Sequence, residues 1–353
     1  MVIAAQLRRV VGSVWFRALV TILLLGLIAT LVDWSAAADQ LDEGSWVLFA
    51  AAVAMLFVSQ VIAGLRWRLL LRGAGLERPL PTTIRAYLVG TFANNFLPTS
   101  FGGDFARAWL LAKPGPPLVR ALLSVVVDRF MAFWCLVAIA WIALAVDPSA
   151  VPGSLALGLL GVTVAGLAAS ALLLRTAMHR GDWLARRLPE RVLGWARETR
   201  ETLHLYRRRP RILVLATLLG LAFQGIAVVT LRVIAESIGI EVPLALLAVV
   251  APLGLVITLI PISIAGFGVR EGGMVLLLGE AGYDATEATL LTLVGLAALI
   301  VSSLPGAIAM LAGPAFPSRD ELETAEEALR AGELDEGTED MAMGHRPERE
   351  SGP

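Results

Sequence analysis

Long runs of apolar residues, separated by short polar stretches, dominate this chain of 353 residues. A run of about 18 or more apolar residues is long enough to cross a bilayer as an α-helix. The apolar runs predicted to be membrane spans are residues 14–32, 45–65, 121–146, 153–174, 212–235 and 288–311. The pattern therefore predicts an all-α polytopic membrane protein with six full spans. The first run is also compatible with a cleaved secretory signal, because residues 36–38 are small, as at a cleavage site.

Two further apolar stretches are interrupted, and each of their limbs is too short to cross the membrane comfortably. The first stretch has limbs at residues 83–97 and up to 112, and the second has limbs at 244–260 and 264–279. Helix breakers at membrane depth are tolerated where the backbone lines a cavity. We interpret the first stretch as a re-entrant helical hairpin, and the second as such a hairpin or as two tilted crossings.

The two interruptions carry the same motif, P-x-S-x-x-G-x-x-x-R. The first copy contains Pro98, Ser100, Gly103 and Arg107, and the second contains Pro261, Ser263, Gly266 and Arg270. Each pair of matching residues is 163 positions apart. Interrupted hydrophobic segments at matching places in two halves of a chain are typical of a transporter binding site.

Charge alternates between the predicted loops. Arginine concentrates in the N-terminal segment and in residues 66–85, 113–120 and 175–211. The intervening loops carry acidic residues without arginine or lysine, at 33–44, 147–152, 236–243 and 280–287. Because positive loops stay in the cytoplasm, both termini are predicted to be cytoplasmic. The hairpins then enter from opposite faces, and the halves form an inverted repeat whose turns meet near mid-membrane.

These boundaries divide the chain into a membrane domain, residues 1–314, and an acidic tail, residues 315–353. The membrane domain has halves at 14–146 and 153–314, and an arginine-rich amphipathic segment at 175–211 is predicted to lie on the membrane surface. The tail has 4 basic and 12 acidic residues and is expected to be largely disordered and cytoplasmic.

Composition supports the membrane assignment and argues against several classes of enzyme. Hydrophobic residues make up 57% of the chain and charged residues 17%, which does not fit an ordinary soluble domain. The single cysteine, Cys135, precludes an intrachain disulfide, and the three histidines lie outside the apolar runs. We find no metal-binding or nucleophile motif. No cofactor, metal or nucleic-acid partner is therefore expected.

Polar residues within the apolar stretches are the candidate binding residues, because charge is costly there unless it has a function or a partner. The candidates are Asn94, Asn95, Pro98, Ser100, Gly102, Gly103, Asp104, Arg107, Asp128, Arg129, Pro261, Ser263, Gly266, Gly268, Arg270 and Glu271. Arginine holds phosphate through a planar, permanently charged fork, and exposed backbone N–H groups at a helix start add to such a site. Three arginines beside two broken helices thus predict a site for a phosphate-bearing head group.

Structural roles are the alternative for the same residues. Asp104 with Arg107, Asp128 with Arg129, and Arg270 with Glu271 could be internal ion pairs that hold the hairpins against the spans. The asparagines could be helix caps. Arg66, Trp67, Arg68 and Arg72 follow the second span and form an interfacial anchor pattern. Arg232 and Glu236, four residues apart, are predicted to be a local pair.

At these residues the chain resembles the family defined by the transmembrane flippase region of lysylphosphatidylglycerol synthase. The resemblance rests on residues 94–98 running to Gly103 and Arg107, on Asp128-Arg129, and on 261–271, and it covers roughly 17–311. It implies translocation of an aminoacylated or related polar lipid, with roles for Asp104, Arg107, Asp128, Arg129, Arg270 and Glu271. No soluble aminoacyl-transferase or glycosyltransferase domain is expected within this sequence, so it is not expected to synthesise such a lipid.

The leading hypothesis is a stand-alone flippase of a bacterial inner membrane, not an enzyme, that moves a lipid with an anionic or phosphate-bearing head group. A scaffold for a lipid-modifying or glycosyl-transferring enzyme is the alternative. A membrane-embedded transferase with Asp104 or Asp128 as base is a third reading. The expected partners are lipids, with a lipid-modifying enzyme and a second copy of the chain as further candidates.

Overall fold

The structure is a computed structural model, and it describes residues 22–23, 26–27, 30, 43–96, 102–112, 116–178, 190–258, 263 and 266–312. Over these ranges the chain forms ten α-helices, one 3-10 helix at Pro148–Ala150 and no β-strand. The prediction of an all-α protein is therefore confirmed.

Five of the described helices are long and apolar enough to cross a membrane. They are α1 (Glu43–Gly73), α4 (Pro116–Val146), α5 (Gly153–Met178), α7 (Pro210–Ser237) and α10 (Ala285–Leu311). They correspond to the second to sixth predicted spans. The predicted span at residues 14–32 falls almost entirely outside the described residues, as do the signal-sequence alternative and the acidic tail, so these stay predictions.

The predicted hairpin limbs are four shorter helices. They are α2 (Leu80–Phe96), α3 (Gly102–Leu111), α8 (Leu244–Ile257) and α9 (Val269–Glu280). Helix α9 begins five residues later than the predicted limb. The cause is local, because Gly266 and Gly268 have φ angles of 78° and 81°, which a right-handed helix cannot include.

Both pairs of limbs return to the end from which they started. Arg78, just before α2, donates from Nε to the carbonyl of Leu111 at the end of α3, at 2.6 Å. In the second pair, the hydroxyl of Tyr283, after α9, donates to the carbonyl of Glu241, before α8, at 3.0 Å. Arg78 and Glu241 are themselves 163 positions apart. These bonds close each pair of limbs at its outer end.

The first long helix is longer than predicted, and this corrects one assignment. The sequence placed Arg66 and Trp67 at the membrane interface, but α1 continues to Gly73, and the two residues are 1% and 0% exposed. Leu69, Leu70 and Leu71 follow them and continue the apolar sequence. Arg66 therefore lies within the helix bundle and requires a partner there.

The helices pack in matching pairs across the two halves. Helix α1 lies against α7, α4 packs on α8, and α10 packs on α2. Small residues allow these crossings, as is usual in membranes, where packing replaces the hydrophobic effect between helices. A Cβ at Gly306 of α10 would lie 2.2 Å from the carbonyl oxygen of Leu88 in α2. The backbones of α10 and α2 are thus in direct contact.

The largest apolar core surrounds α8. Leu246, Leu247, Val249 and Val250 of this helix are almost fully buried among α4, α5, α7 and α9. Nine of its fourteen residues are buried, on all sides of the helix. A helix that is apolar all round belongs inside a bundle. Helix α8 therefore anchors the second pair of limbs.

The remaining described helix, α6 (Glu190–Arg208), lies within the segment predicted to be amphipathic. Its Tyr206 is buried, and the hydroxyl donates to the carbonyl of Leu70 in α1 at 2.8 Å. Glu198 forms an ion pair with Arg120 of α4. Helix α6 is thus docked on the bundle through one face. The tryptophans expected at the membrane surface, Trp183 and Trp195, belong to the part whose side chains are not described.

Helix α10 begins at a side-chain cap. The carboxylate of Asp284 accepts from the backbone N–H of Thr286 at 2.8 Å, and Glu287 accepts from the N–H of Asp284 at 3.3 Å. The hydrogen bond from Thr286 lowers the pKa of Asp284. This capping box sets the start of the helix.

Candidate functional site

The two limbs of the first hairpin touch through glycine backbone. A Cβ added to Gly103 would lie 2.0 Å from the carbonyl oxygen of Gly90, so no larger residue fits there. The N–H of Gly103 donates to Oδ1 of Asn94 at 3.0 Å, which joins the start of α3 to the end of α2. Asn94 is therefore a cap, as one of the sequence interpretations held. This contact fixes the position of Asp104 and Arg107.

Asp104 and Arg107 form the centre of a charged network. Nε of Arg107 donates to Oδ1 of Asp104 at 3.1 Å, which confirms this predicted pair. The other oxygen of Asp104 accepts from Arg129 of α4 at 2.7 Å. Arg107 also binds Oδ2 of Asp128 through both terminal nitrogens, at 3.2 and 3.1 Å. Helices α3 and α4 are thus joined by two ion pairs, Asp104 with Arg129 and Arg107 with Asp128.

The network extends to a residue that sequence reasoning had assigned elsewhere. Nε of Arg66 donates to Oδ1 of Asp128 at 2.7 Å, and the two side chains are 1% and 3% exposed. The continuation of α1 in apolar residues after Arg66 was the signal in the sequence that could have placed it inside a span. The adjacent Asp128 and Arg129 are not a pair with each other, because the oxygens of Asp128 bind Arg66 and Arg107 while Arg129 binds Asp104. That alternative was wrong.

Aromatic rings complete the enclosure of the network. The guanidinium of Arg107 lies 4.7 Å from the ring centroids of both Trp67 and Tyr87. Arg66 lies 5.3 Å from the ring of Phe223 in α7. Cation–π contacts of this kind are stronger when the cation is removed from water. Arg66 and Arg107 are therefore held from several sides.

The network carries a net charge of +1, from three arginines and two aspartates. Four of its members have side chains 1–8% exposed, but the side chain of Arg129 is 49% exposed. Arg129 uses Nε and Nη2 for Asp104, and Nη1 has no hydrogen-bond partner among the described residues. One guanidinium edge is therefore available at the surface of an otherwise enclosed ion cluster.

The second hairpin has a simpler arrangement. Arg270 binds Oε1 of Glu271 through Nη2 at 2.6 Å and Nε at 2.9 Å, which confirms that predicted pair. Oε2 of Glu271 accepts from the N–H of Gly268 at 2.7 Å and so caps the start of α9. The side chain of Glu271 is 1% exposed and that of Arg270 is 32% exposed. The positive charge of Arg270 is thus balanced by its neighbour.

The two hairpins are therefore unequal, although they share a motif. The positions 163 residues after Asp104, Asp128 and Arg129 are occupied by Phe267, Leu291 and Thr292. Only the arginine of the motif is charged in both halves. Across the residues that the structure describes, no ion pair joins the two clusters. The predicted meeting of the two turns is not tested, since residues 97–101 and most of 259–265 are not described.

The remaining predicted site residues lie in the two motifs or directly beside them. Pro98, Ser100 and Pro261 lie outside the described residues. Asn95 and Ser263, beside the two turns, each have a buried polar atom without a partner in the described part of the chain, Nδ2 of Asn95 and Oγ of Ser263. Gly102 begins α3. Asn95 and Ser263 thus place a polar group without a described partner next to each motif.

Other polar groups of the sequence analysis have structural positions. Arg232 binds Glu236 at 2.7 Å, which confirms that local pair. Cys135 is a buried free thiol whose Sγ lies 3.6 Å from the carbonyl oxygen of Thr217. Within the described ranges, no group of three potential metal ligands occurs.

Comparison with known proteins identifies the family of this chain. The sequence matches the family described as "Lysylphosphatidylglycerol synthase TM region" over residues 14–306. The chain belongs to this family. The matched region contains both hairpins and the complete ion network, so the expected resemblance is confirmed.

One curated relative has a similar sequence. It is described as a "UPF0104 membrane protein" from Methanothermobacter thermautotrophicus, and it is 25% identical over 273 residues. The match covers 70% of this chain and 78% of the relative. No solved structure matches the chain.

Proposed function

We propose that this protein moves a polar lipid, with a phosphate-bearing head group, between the two leaflets of a membrane. The head group, which could also be aminoacylated or glycosylated, binds near the first hairpin while the acyl or prenyl chains stay in the bilayer. The protein changes the lipid's position and not its chemistry. Membership in the family supports this proposal.

The observation that carries the proposal is Arg129, a half-exposed guanidinium at the end of a buried network of net positive charge. Arg66 and Arg107 are enclosed, so neither can receive a head group without rearrangement. Nη1 of Arg129 is not used for Asp104, so this edge of the guanidinium can donate hydrogen bonds to one or two phosphate oxygens. The net positive charge of the network adds to the attraction between Arg129 and an anion, and solvent at this half-exposed guanidinium reduces it.

The architecture proposed for transport is an inverted repeat of six spans and two re-entrant hairpins. Three features support it: the motif spacing of 163, the closure of both hairpins at their outer ends, and the matched packing of α4 on α8 and α10 on α2. Inverted repeats allow alternating access by rocking one half against the other. The proposal has both termini in the cytoplasm of a bacterial cell, and the alternation of charge between the loops supports this orientation.

Reconstitution tests the proposal. The purified protein in liposomes should speed the exchange of head-group-labelled anionic phospholipid between leaflets, and lipid masses should stay unchanged. Arg129→Ala should lower the initial rate at low lipid content by roughly tenfold or more, the effect of one charge-assisted hydrogen bond. Arg129→Lys should retain part of the activity, since it keeps the charge but loses the fork.

Arg232→Ala is the matched control, because Arg232 is also a partly exposed arginine in an ion pair. Its rate should equal that of the unchanged protein. Equal rates for Arg129→Ala and the unchanged protein would exclude this site. A rate no higher than that of empty liposomes, together with retained co-purification of a lipid-modifying enzyme, would favour the scaffold alternative. A changed lipid mass would indicate an enzyme.

A further inference from the structure

Several helix ends meet at one end of the bundle, and arginines cap them. Nε of Arg78 binds the carbonyl of Leu111 at the end of α3, at 2.6 Å, and Nε of Arg85 binds the carbonyl of Ala309 near the end of α10, at 3.0 Å. Arg209 binds the carbonyl of Arg72 near the end of α1. The carboxyl ends of α1, α3 and α10 therefore lie at the same end of the molecule.

These arginines bond to backbone carbonyls and keep most of their charge uncompensated. We define the basic end surface as Arg68, Arg72, Arg78, Arg85 and the four arginines of residues 207–211. Its only carboxylate contact among the described residues is Glu77, which is 85% exposed and 3.9 Å from Arg72. Each helix end contributes only about half a negative charge. Eight arginines and one glutamate leave a formal charge of +7.

The basic end surface is concave in its centre. Arg68, Arg72 and Arg78, together with Glu77 and Pro79, line a cavity of about 360 Å³. Arg72, with 46% of its side chain exposed, faces solvent there, and the arginines of residues 207–211 are all exposed. The surface can therefore hold several carboxylates at once.

An acidic segment of the same chain starts beside this surface. Helix α10 ends at Leu311, less than one turn after the carbonyl that Arg85 binds. Residues 315–353 contain 12 acidic and 4 basic residues, a formal charge of −8 against the +7 of the surface. Eight extended residues span about 26 Å, so Asp320 and the acids after it can reach the arginines. Attachment to the same chain raises the effective concentration to the millimolar range.

We infer that the acidic segment, residues 315–353, docks on the basic end surface of its own chain through carboxylate–guanidinium pairs. The proximity of its attachment point, the unpaired arginines and the nearly equal opposite charges carry this inference. Docking pairs these carboxylates with arginines that have no other ion-pair partner among the described residues, apart from the contact of Arg72 with Glu77. The inference is independent of the proposed transport.

Photocross-linking of the full-length protein tests the docking. A photoreactive benzoylphenylalanine at Leu329 should cross-link within the same chain to peptides from residues 66–85 or 205–212, as identified by mass spectrometry. Neutralising four acids of the segment (E321Q, E323Q, E326Q and E327Q) should lower the yield about fivefold, as expected for four exposed ion pairs at the low end of their usual strength. In 1 M salt the yield should also fall, because the screening length shrinks to about 3 Å.

A second set of substitutions tests the role of the basic end surface. It changes the exposed arginines Arg207, Arg208 and Arg211, which have no ion-pair partner among the described residues. The triple substitution R207Q, R208Q and R211Q should lower the same yield several-fold. Arg197→Gln, which removes an exposed arginine earlier in α6, is the matched control and should leave the yield unchanged. An unchanged yield in both the four-acid and the triple-arginine variants would overturn the inference. Cross-links mainly to lipid, or between differently isotope-labelled chains, would also overturn it.

Discussion

The Asp128→Asn substitution tests the central claim that the buried network is an electrostatic unit. Asp128 is the only carboxylate that Arg66 contacts among the described residues, and both side chains are almost fully buried. Asparagine keeps the shape and one acceptor oxygen but removes the charge. Arg66 then stays buried beside a neutral group, and Arg107 keeps only Asp104.

The expected cost follows from these partners. Breaking a buried ion pair by removing one member costs about 3–5 kcal/mol, because the other charge is left uncompensated. Arg66→Met should cost less, since Asp128 retains both contacts from Arg107 at 3.1 and 3.2 Å. The double variant Arg66→Met with Asp128→Asn should lose less stability than the sum of the two single losses, by about 1–3 kcal/mol, a coupling typical of directly bonded groups.

The assay is the free energy of unfolding of the purified protein in detergent micelles, titrated with a denaturing detergent and followed by tryptophan fluorescence. The four proteins of the cycle are compared in parallel at neutral pH. Additive effects of the two substitutions would show that Arg66 and Asp128 are not coupled. A loss below about 1 kcal/mol for Asp128→Asn would refute the assignment of the network as buried, since only surface pairs are that weak.

Two further predictions concern positions fixed by close contact. Gly103→Ala should destabilise the protein by about 2–3 kcal/mol, because the new Cβ would overlap the carbonyl oxygen of Gly90. Gly161→Ala is the control, since a Cβ at this exposed position of α5 would meet no atom within 4 Å, and it should stabilise the helix by up to about 1 kcal/mol. The same unfolding titration measures both variants. Tyr206→Phe should cost about 1 kcal/mol through the lost bond to Leu70. Burial, aided by the charge of Asp128, raises the pKa of Tyr206, so its contribution is present below pH 10 and is lost as pH rises through the folded pKa. The phenylalanine variant should lack this alkaline loss of stability, and an identical pH profile would contradict the assignment.

The asymmetry between the hairpins changes which arginine is expected to bind a head group. The motif treats Arg107 and Arg270 as equivalents, but Arg107 is enclosed by two rings and two aspartates, and Arg270 is neutralised by Glu271. Arg129, outside the motif, differs from both: its side chain is 49% exposed, against 32% for Arg270, and it belongs to a network with a net positive charge. The shared motif therefore does not give the two arginines the same chemical environment.

Local pairs were predictable because they depend on short spacing alone. Asp104 with Arg107, and Arg232 with Glu236, are three and four residues apart on helices and meet as expected. The capping by Glu271 follows from its place in the first turn of α9. The bond between Arg66 and Asp128 joins residues 62 positions apart, and no periodicity in either helix contains that information.

Hydropathy along the chain was enough to predict the membrane class, the approximate positions of the five described spans and the presence of two interrupted segments. Hydropathy and helix-breaking residues act locally, and a bilayer requires every exposed backbone group to be bonded within its own helix. The packing of the helices was needed to show that Arg66 is buried, that Asp128 bridges α1 and α3, and that α6 docks on the bundle through Tyr206. Those contacts depend on which faces of the helices pack together. Because the bonded residues are far apart in sequence, several other side chains could have made the same contacts, and the packing of the helices selects among them.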